Sequence, residues 1–321
     1  MPTRPCSKCH EGSSVYYRAY SGESLCRKCF LISIEEKAYK TINKFSMLKH
    51  DDKVAVAVSG GKDSLSLLYV LNNTFTRHDR SELVAITVDE GIKGYRNESL
   101  EIVGRFCADL KVKSKIVTYK ELFGIDMDSA MLQRPSKKTS SCSICGTFRR
   151  RAIDLAAKSA GANVIATAHN LDDQLQTFII NVLAGDVERI GWTHPEPINS
   201  SSYGLKKIKP FAEIYEQEIV FYALQRGIPF QSEDCPYMYE SIRTELREFL
   251  NKLEKGRPGI KYNTYNSMLK ISKSLRLLPP SVQAKKCTIC NNTSSRENCS
   301  VCKTIAVLTD ADKNGINHTI E

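Results

Sequence analysis

Long apolar runs are missing. No stretch of the 321-residue chain approaches 18 consecutive apolar side chains, which argues against a membrane-spanning helix. The opening residues, Met1-Pro2-Thr3-Arg4-Pro5-Cys6, lack the apolar segment of a secretory signal. The expectation is therefore a cytoplasmic chain with no membrane partner. The spacing G-x-x-x-x-G-K-[ST] is also absent, which sets aside a Walker A nucleotide site. Internal repeats are lacking apart from two similar cysteine groups. Acidic residues are the scarcer charge, 36 Asp and Glu against 46 Lys and Arg, leaving a net charge of +10. That surplus favours a polyanionic partner, although an inert basic surface has the same composition. Hydrophobic residues at 41% provide a core for one large domain or two to three smaller units.

Cysteine, by contrast, is abundant. Twelve cysteines in a cytosolic chain argue for metal or redox chemistry rather than a disulfide framework. Cys6, Cys9, Cys26 and Cys29 form two C-x2-C knuckles around a spacer holding Gly12 and Gly22, the spacing of a tetrahedral Zn²⁺ site. Residues 1–32 are too few to bury their own core, so metal would supply the folding free energy of this N-terminal zinc ribbon. Cys6-Ser7-Lys8-Cys9-His10 also reads as the haem pattern C-x-x-C-H. The second C-x-x-C and the missing export signal set haem aside and leave His10 a neighbour. Cys287, Cys290, Cys299 and Cys302 run as C-x2-C-x8-C-x2-C and predict a second zinc ribbon over 283–304. Cys107 falls in the helical pattern Leu100–Leu110 and reads as a small core residue. Cys142, Cys145 and Cys235 belong to neither group.

Between the ribbons the hydrophobic period changes. Ile34, Ala38, Ile42 and Phe45 recur at helical spacing and predict a linker helix within 33–50. Residues 51–235 alternate apolar β-branched runs, at 53–58, 83–88, 112–118 and 163–168, with helical patterns near 63–72, 96–110, 147–160, 172–184 and 214–226. Such alternation predicts an α/β fold with a doubly wound parallel sheet. Ligands of such sheets bind beyond the strand carboxyl ends at a switch point. Three strand ends carry polar signatures that would meet in one crevice: Ser59-Gly60-Gly61, Asp89-Glu90-Gly91 and Ala168-His169-Asn170. A basic helical segment spans 236–282, with Arg243, Arg247, Lys252, Lys255, Arg257, Lys261, Lys270 and Lys273. Pro258-Gly259 and Pro279-Pro280 punctuate it. Residues 305–321 read as a short polar tail.

The most specific signal is Ser59-Gly60-Gly61-Lys62-Asp63-Ser64, directly after Val54-Ala55-Val56-Ala57-Val58. A Gly-rich turn that leaves a buried strand and opens a helix cradles phosphate. Its glycines admit the anion to free N–H groups at the positive end of the helix dipole. S-G-G-K-D-S resembles the PP-loop of ATP pyrophosphatases, which cleave ATP between the α and β phosphates and adenylate their substrate. Asp63 suits Mg²⁺ held with phosphate oxygens and equally suits helix capping. Lys62 faces the β and γ phosphates or is solvated, and the backbone at Val88 and Asp89 flanks the adenosine. His169-Asn170-Leu171-Asp172-Asp173 is similar to the H-N-x-D-D or H-x-x-D-D run of the same family. Alone it reads as a helix start capped by Asp172 or Asp173. Beside a PP-loop it puts Asp173 on Mg²⁺ or ATP and the Ala168 backbone against the nucleotide.

Ser141-Cys142-Ser143-Ile144-Cys145-Gly146 lies just before an expected helix, where a thiolate is stabilised. One C-x-x-C is ambiguous, and Cys235 is the obvious third thiol. Three cysteines suit a [4Fe-4S] cluster with one open iron position. They equally suit a persulfide on one thiol and a resolving thiol on another.

The full order of features is N-terminal zinc ribbon, PP-loop, C-x-x-C, later single Cys and C-terminal zinc ribbon. It resembles the TtuA/NcsA group of tRNA 2-thiouridine synthetases, distantly related to the bacterial TtcA cytidine thiolases, over nearly the whole chain. The resemblance implies cluster ligation by Cys142, Cys145 and Cys235. It implies ATP contacts at Ala57, Val58, Ser59, Gly60, Gly61, Asp63, Val88, Ala168 and Asp173, with Lys62, Ser64 and Arg149 beside them. Relatives often place Lys where this chain has Arg149, and Arg does not release a proton in proteins. Relatives place Cys or His as the last ligand of the first zinc site; here it is Cys29.

The implied chemistry is adenylation of a uracil C2 oxygen, followed by displacement of AMP by sulfur. The base would leave its stack to enter the crevice. Lys137, Lys138, Arg149, Arg150 and Arg151, with the basic helices, would meet tRNA phosphates. Abundant Cys and the pairs Asn72-Asn73 and Asn291-Asn292 are uncommon in hyperthermophiles, which tilts the target from a T-loop ribothymidine to the wobble uridine. The sulfur donor stays open between sulfide and the thiocarboxylate of a ubiquitin-like carrier protein. A homodimer through the first zinc module also stays open. The competing readings are a lysidine-forming ligase or an amidotransferase-linked synthetase, neither of which needs the three thiols, and a non-catalytic zinc-ribbon RNA-binding protein.

Overall fold

The chain opens with an antiparallel hairpin, β1 (Tyr16–Arg18) and β2 (Glu23–Leu25), followed by α1 (Arg27–Lys44). Cys26 is the N-cap of α1, its Sγ accepting from the Cys29 N–H at 3.5 Å. The helix therefore begins inside the first cysteine module and not near residue 33. The stretch between the two cysteines carries no apolar period to reveal it. The structure is a computed structural model describing residues 4–78, 82–135, 140–197, 204–238, 242–277 and 285–315.

The body runs β3 (Val54–Ala57), α2 (Lys62–His78), β4 (Leu83–Asp89), α3 (Arg96–Asp109) and β5 (Lys113–Thr118), then α4 (Tyr119–Phe123), α5 (Met127–Leu132) and α6 (Ser141–Ser159). It continues with β6 (Val164–Ala166), α7 (Leu171–Leu183), α8 (Val187–Gly191), β7 (Lys206–Ile208) and α9 (Glu216–Arg226). The strands pair in parallel in the order β5-β4-β3-β6-β7. This is the doubly wound α/β sheet expected from the alternation. Side chains alternate between faces. Val54 and Val56 of β3 enter the core shared with α1, α2 and α9, and Ala55 enters the core shared with α6. Strand order reverses between β3 and β6, so a crevice opens beyond their carboxyl ends.

Four elements had no sequence signal. Strand β7 is Lys-Lys-Ile, too polar to read as a run. The short α4 and α5 form behind caps, Thr118 with a full capping box and Asp126. The five-residue α8 starts at the cap Asp186.

The basic segment is two helices, α10 (Ile242–Gly256) and α11 (Ile260–Leu275), split at Gly259 with φ +95°. Pro279-Pro280 lies outside the described residues. A second hairpin, β8 (Lys285–Lys286) and β9 (Thr293–Ser294), leads into α12 (Ser300–Gly315). The expected polar tail is thus helical as far as Gly315. Val301 and Leu308 bury against Ala152 and Ala156 of α6, and that apolar spacing is diluted by the surrounding polar residues.

The first module is tied to the body by a buried carboxylate. Glu218 on α9 is fully buried and accepts from Arg18 Nε at 2.6 Å, Tyr20 OH at 2.9 Å and Lys37 Nζ at 3.2 Å. Tyr16 and Phe30 pack their rings on Phe221 of the same helix. Among the described residues no helix is long and apolar enough to cross a membrane.

Candidate functional site

The phosphate loop is pinned by its own hydroxyls. Ser64 Oγ donates to the Gly61 carbonyl at 3.0 Å and accepts from the Ser59 N–H at 3.1 Å. Gly60 sits at φ +89°, and a Cβ there would lie 2.6 Å from Ser99 Cβ. Beside the loop is a cavity of about 210 Å³. Its walls are Ala57, Val58, Ser59, Gly61, Asp63 and Ser64; Ile86 and Val88 from β4 and Glu90 just past it; Arg149 and Ile153 from α6; and Thr167, Ala168, His169 and Asp173 after β6. The three strand ends therefore do converge. Of the expected nucleotide contacts, Gly60, Lys62 and Asp89 do not line this cavity. Gly60 packs on Ser99, and Lys62 Nζ pairs with Asp63 at 2.9 Å and Glu216 at 3.1 Å.

Burial sets the ionisation of the crevice. It pushes the Asp63 carboxyl up, against the neighbouring Lys62 ammonium. Asp173 is pushed up to about 6 by burial, partly offset by the Asn170 N–H that donates to it at 3.1 Å. His169 is pushed down to about 3 by burial and by Lys209, Arg243 and Arg150, so its ring is neutral. Lys209, just past β7, is pushed down to about 8 by the same burial.

Two expectations change here. The cap of α7 is Asn170, in a reciprocal capping box with Asp173, and neither aspartate is the cap. Asp172 instead accepts from the Glu216 N–H at 2.8 Å and pairs with Lys261. Lys261 is buried by that pairing and drops out of the RNA-facing set.

The Asp173 shift carries a stability prediction. Its folded pKa lies above its ordinary 3.8, so its contribution is fully present below about pH 4 and is lost as pH rises through about 6. Asp173→Asn should therefore stabilise the ligand-free protein at pH 7.5 by up to about 3 kcal/mol. The gain should vanish below about pH 4. Thermal melts across that pH range test it, and no gain at pH 7.5 would contradict it.

Two of the remaining thiols, Cys145 and Cys235, interact electrostatically with Arg149 on the wall of that cavity. Helix α6 starts at Ser141, capped by Ser140, whose Oγ accepts from the Ser143 N–H at 3.3 Å. Cys142 and Cys145 thus lie within the helix and not before it; the Ser-rich run and Gly146 disguise its first turns. Cys142 is exposed, and Cys145 and Cys235 are part-buried. Tyr119 OH donates to the Cys145 carbonyl at 2.9 Å and lies 3.5 Å from its Sγ. Ser141 Oγ donates to the Tyr237 carbonyl at 3.0 Å, tying α6 to the segment that carries Cys235. The Cys235 thiol is pushed up by burial, with Cys145 and Cys142 adding and Arg149 opposing. The three thiols therefore share one electrostatic neighbourhood.

Among the described residues, two groups place ligand atoms within 4.8 Å of one another: Cys6, Cys9, Cys26, Cys29 and Cys287, Cys290, Cys299, Cys302. The crevice thiols do not form such a group.

The two four-cysteine groups do suit one tetrahedral ion each. Cys9 and Cys26 sulfurs are 3.8 Å apart, and Cys290 and Cys299 sulfurs 3.6 Å. Four thiolates at about 2.3 Å around Zn²⁺ stand about 3.8 Å from one another. N–H groups of Cys299 and Cys290 hold the Cys287 thiol down to about 6, the thiolate form that metals bind. Gly12 leaves room for the first group, since a Cβ there would lie 2.8 Å from Cys26 Cβ. Because Cys6, Cys26 and Phe30 share a core with β3, stripping metal with a strong chelator should lower the melting temperature of the whole chain. An unchanged melting temperature would show that the thiols fold without an ion.

Of the expected RNA-facing cations, Lys137 and Lys138 lie outside the described residues. Lys252, Lys255, Arg257, Lys270 and Lys273 are exposed, as is Arg150. Arg247 lies 3.7 Å from Glu216, and Arg243 donates to Thr177 Oγ1 at 2.9 Å. Sequence reasoning also missed Arg96, whose Nη1 donates to the Ser59 carbonyl at 2.9 Å and whose Nη2 donates to the Val88 carbonyl at 2.7 Å. An arginine seven residues past a strand carries no local signal of such a role.

Comparison with known proteins matches residues 33–254 to the PP-loop domain family. A cytoplasmic tRNA 2-thiolation protein 1 from Chlamydomonas reinhardtii is 37% identical over 94% of this chain and 84% of its own length. One of the same name from Aspergillus niger is 35% identical over 100% of this chain and 92% of its own. Among solved structures, the U34-tRNA thiolase NcsA from Methanococcus maripaludis with its [4Fe-4S] cluster superposes with a TM-score of 0.81 at 32% identity, covering 95% of this chain and 96% of that one.

Proposed function

The chain belongs to the PP-loop family, in the branch of the cytoplasmic tRNA 2-thiolation proteins, and from that premise we propose how its crevice replaces the C2 oxygen of the wobble uridine of tRNA with sulfur. The enzyme is a tRNA sulfurtransferase that uses ATP, and it works in the cytoplasm, as its relatives' names say of them. The observation that carries the reading is the position of Arg149. It lines the nucleotide cavity, stands one helical turn past Cys145 and acts electrostatically on Cys235. Adenylation and sulfur delivery therefore share one wall.

In the first step the uridine O2 attacks the α phosphorus of ATP. The bond to the β phosphate breaks, pyrophosphate leaves, and the N3 proton is released. In the second, hydrosulfide adds at C2, the C2–O bond breaks, and AMP departs with the oxygen. The S–H proton passes to N3 and leaves C2=S. Cys142, Cys145 and Cys235 would hold a [4Fe-4S] cluster, which would supply an iron with an open position for a sulfur ligand. The N–H groups at the start of α2 receive the phosphates, and Asp63 and Asp173 would hold Mg²⁺, which would offset phosphate charge. Arg149 contributes fixed charge and donors, and no proton. The exposed cations of α10 and α11, with Arg150, take the tRNA backbone, so binding should weaken steeply with salt. The two four-cysteine groups would each hold one Zn²⁺.

The test is anaerobic reconstitution with ATP, Mg²⁺ and unmodified tRNA, with sulfide or a thiocarboxylated ubiquitin-like carrier in separate arms, read by liquid chromatography of nucleosides. Appearance of 2-thiouridine at the wobble position is expected. Its absence in both arms, with iron and acid-labile sulfide present, would overturn the reading.

A further inference from the structure

Glu90 has no part in the steps above, yet it is only 2% exposed and faces two arginines. Its Oε2 lies 2.7 Å from Arg96 Nε, and its Oε1 lies 2.8 Å from both Nε and Nη2 of Arg149. Arg96 is itself 4% exposed and already holds the Ser59 and Val88 carbonyls. One carboxylate thus links the phosphate loop to the helix that carries Cys142 and Cys145. Gln231, four residues before Cys235 in the chain, makes a second tie to the loop: its N–H donates to the Gly60 carbonyl at 3.1 Å, and its Nε2 donates to the Tyr95 carbonyl at 2.7 Å.

We infer that Glu90 is a positioning residue, which fixes the Arg149 guanidinium over the nucleotide cavity and registers it against the phosphate loop through Arg96. This deepens the proposed function and rests on it. Arg149 is 45% exposed, so its flexible side chain would otherwise be free to swing into solvent. A buried carboxylate that takes two of its nitrogens on one oxygen limits it to one orientation. Arg96 needs no such partner to stay in place, since two backbone carbonyls already hold its Nη atoms. The second guanidinium is what explains the second half of the carboxylate.

A double-mutant cycle tests this on the full chain. Glu90→Gln, Arg149→Met and the double variant are compared for binding of α,β-methylene-ATP to cluster-free protein and for binding of tRNA. Each single change should weaken the nucleotide analogue about tenfold, the effect of losing one charge-assisted hydrogen bond. The double variant should be no weaker than Arg149→Met alone, and Glu90→Gln should leave tRNA affinity within about twofold. Three results would overturn the proposal: no effect of Glu90→Gln, losses that multiply to about a hundredfold in the double variant, or nucleotide and tRNA affinity falling together in Glu90→Gln.

Glu90→Asp guards against a Gln variant that does not fold. It should weaken the analogue in the wild-type background and have no effect beside Arg149→Met; an equal effect in both backgrounds would also overturn the proposal. The analogue is bound without tRNA or sulfur. A wild-type chain that binds it but thiolates nothing would therefore count against the proposed function and leave the Glu90 result standing.

Discussion

Cys142→Ala, Cys145→Ala and Cys235→Ala should each lower 2-thiouridine formation about a thousandfold or more, because groups acting as one unit fail together. The fold should survive. Cys142 is exposed, and the other two are only part-buried, so truncating each thiol removes little buried surface. None of the three lines the nucleotide cavity, so the affinity for ATP should change less than about threefold. Iron and acid-labile sulfide should fall in parallel with activity. A variant that kept wild-type activity would remove its thiol from the mechanism. Wild-type iron content with lost activity would favour a persulfide on that sulfur over a cluster.

Gly60→Ala should cost about a hundredfold in kcat/KM for ATP, through a different cause. At φ +89° an L side chain is strained. The new methyl would also meet Ser99 Cβ at 2.6 Å and the Ser99 Cα and carbonyl oxygen at 3.0 Å. Backbone cannot step aside as a flexible side chain can, so the loop must move. It would carry Ser59 and the donors at the start of α2 away from the phosphates, and a displacement of about 1 Å suffices for a loss of that size. Gly161→Ala is the control. Gly161 shares the positive φ, at +71°, has nothing within 4 Å of its Cβ direction, and precedes β6 at the far end of the sheet. It should lower the melting temperature by a few degrees and leave kcat/KM within about twofold. Equal losses in both variants would reduce the Gly60 effect to backbone strain alone.

The legible parts of this molecule are those where one short stretch carries its own chemistry. Val54 to Ser64 announces a buried strand, a phosphate turn and a helix within a dozen residues, and each cysteine knuckle announces its partner by spacing. Glu90 was placed at the crevice by its strand end, but its role, like those of Arg96 and Tyr119, was not legible, because it depends on which elements are neighbours and not on what adjoins it in the chain. Lys261 shows the opposite error. Its charge and helical setting read as RNA-facing, but its position on α11 turns it inward to Asp172, and helical phase near a Pro-Gly break is not fixed by composition. The start of α6 was hidden for a third reason. Ser and Gly are poor helix interiors, and only the Ser140 cap, one residue upstream, offsets that weakness.

The buried Arg18–Glu218 pair joins residues 200 apart in sequence, which sets an order of events during synthesis. At 5–20 residues per second, Arg18 leaves the ribosome about 10–40 s before its carboxylate does. All four thiols of the first metal group are out by the start of that wait, the last only eleven residues after Arg18, so an ion can close the knuckles early. The hairpin face that later packs on α9 must stay uncovered until α9 arrives. A nascent chain arrested before residue 218 would present Tyr16 and Phe30 without Phe221 to cover them, an aromatic face of the kind that chaperones retain.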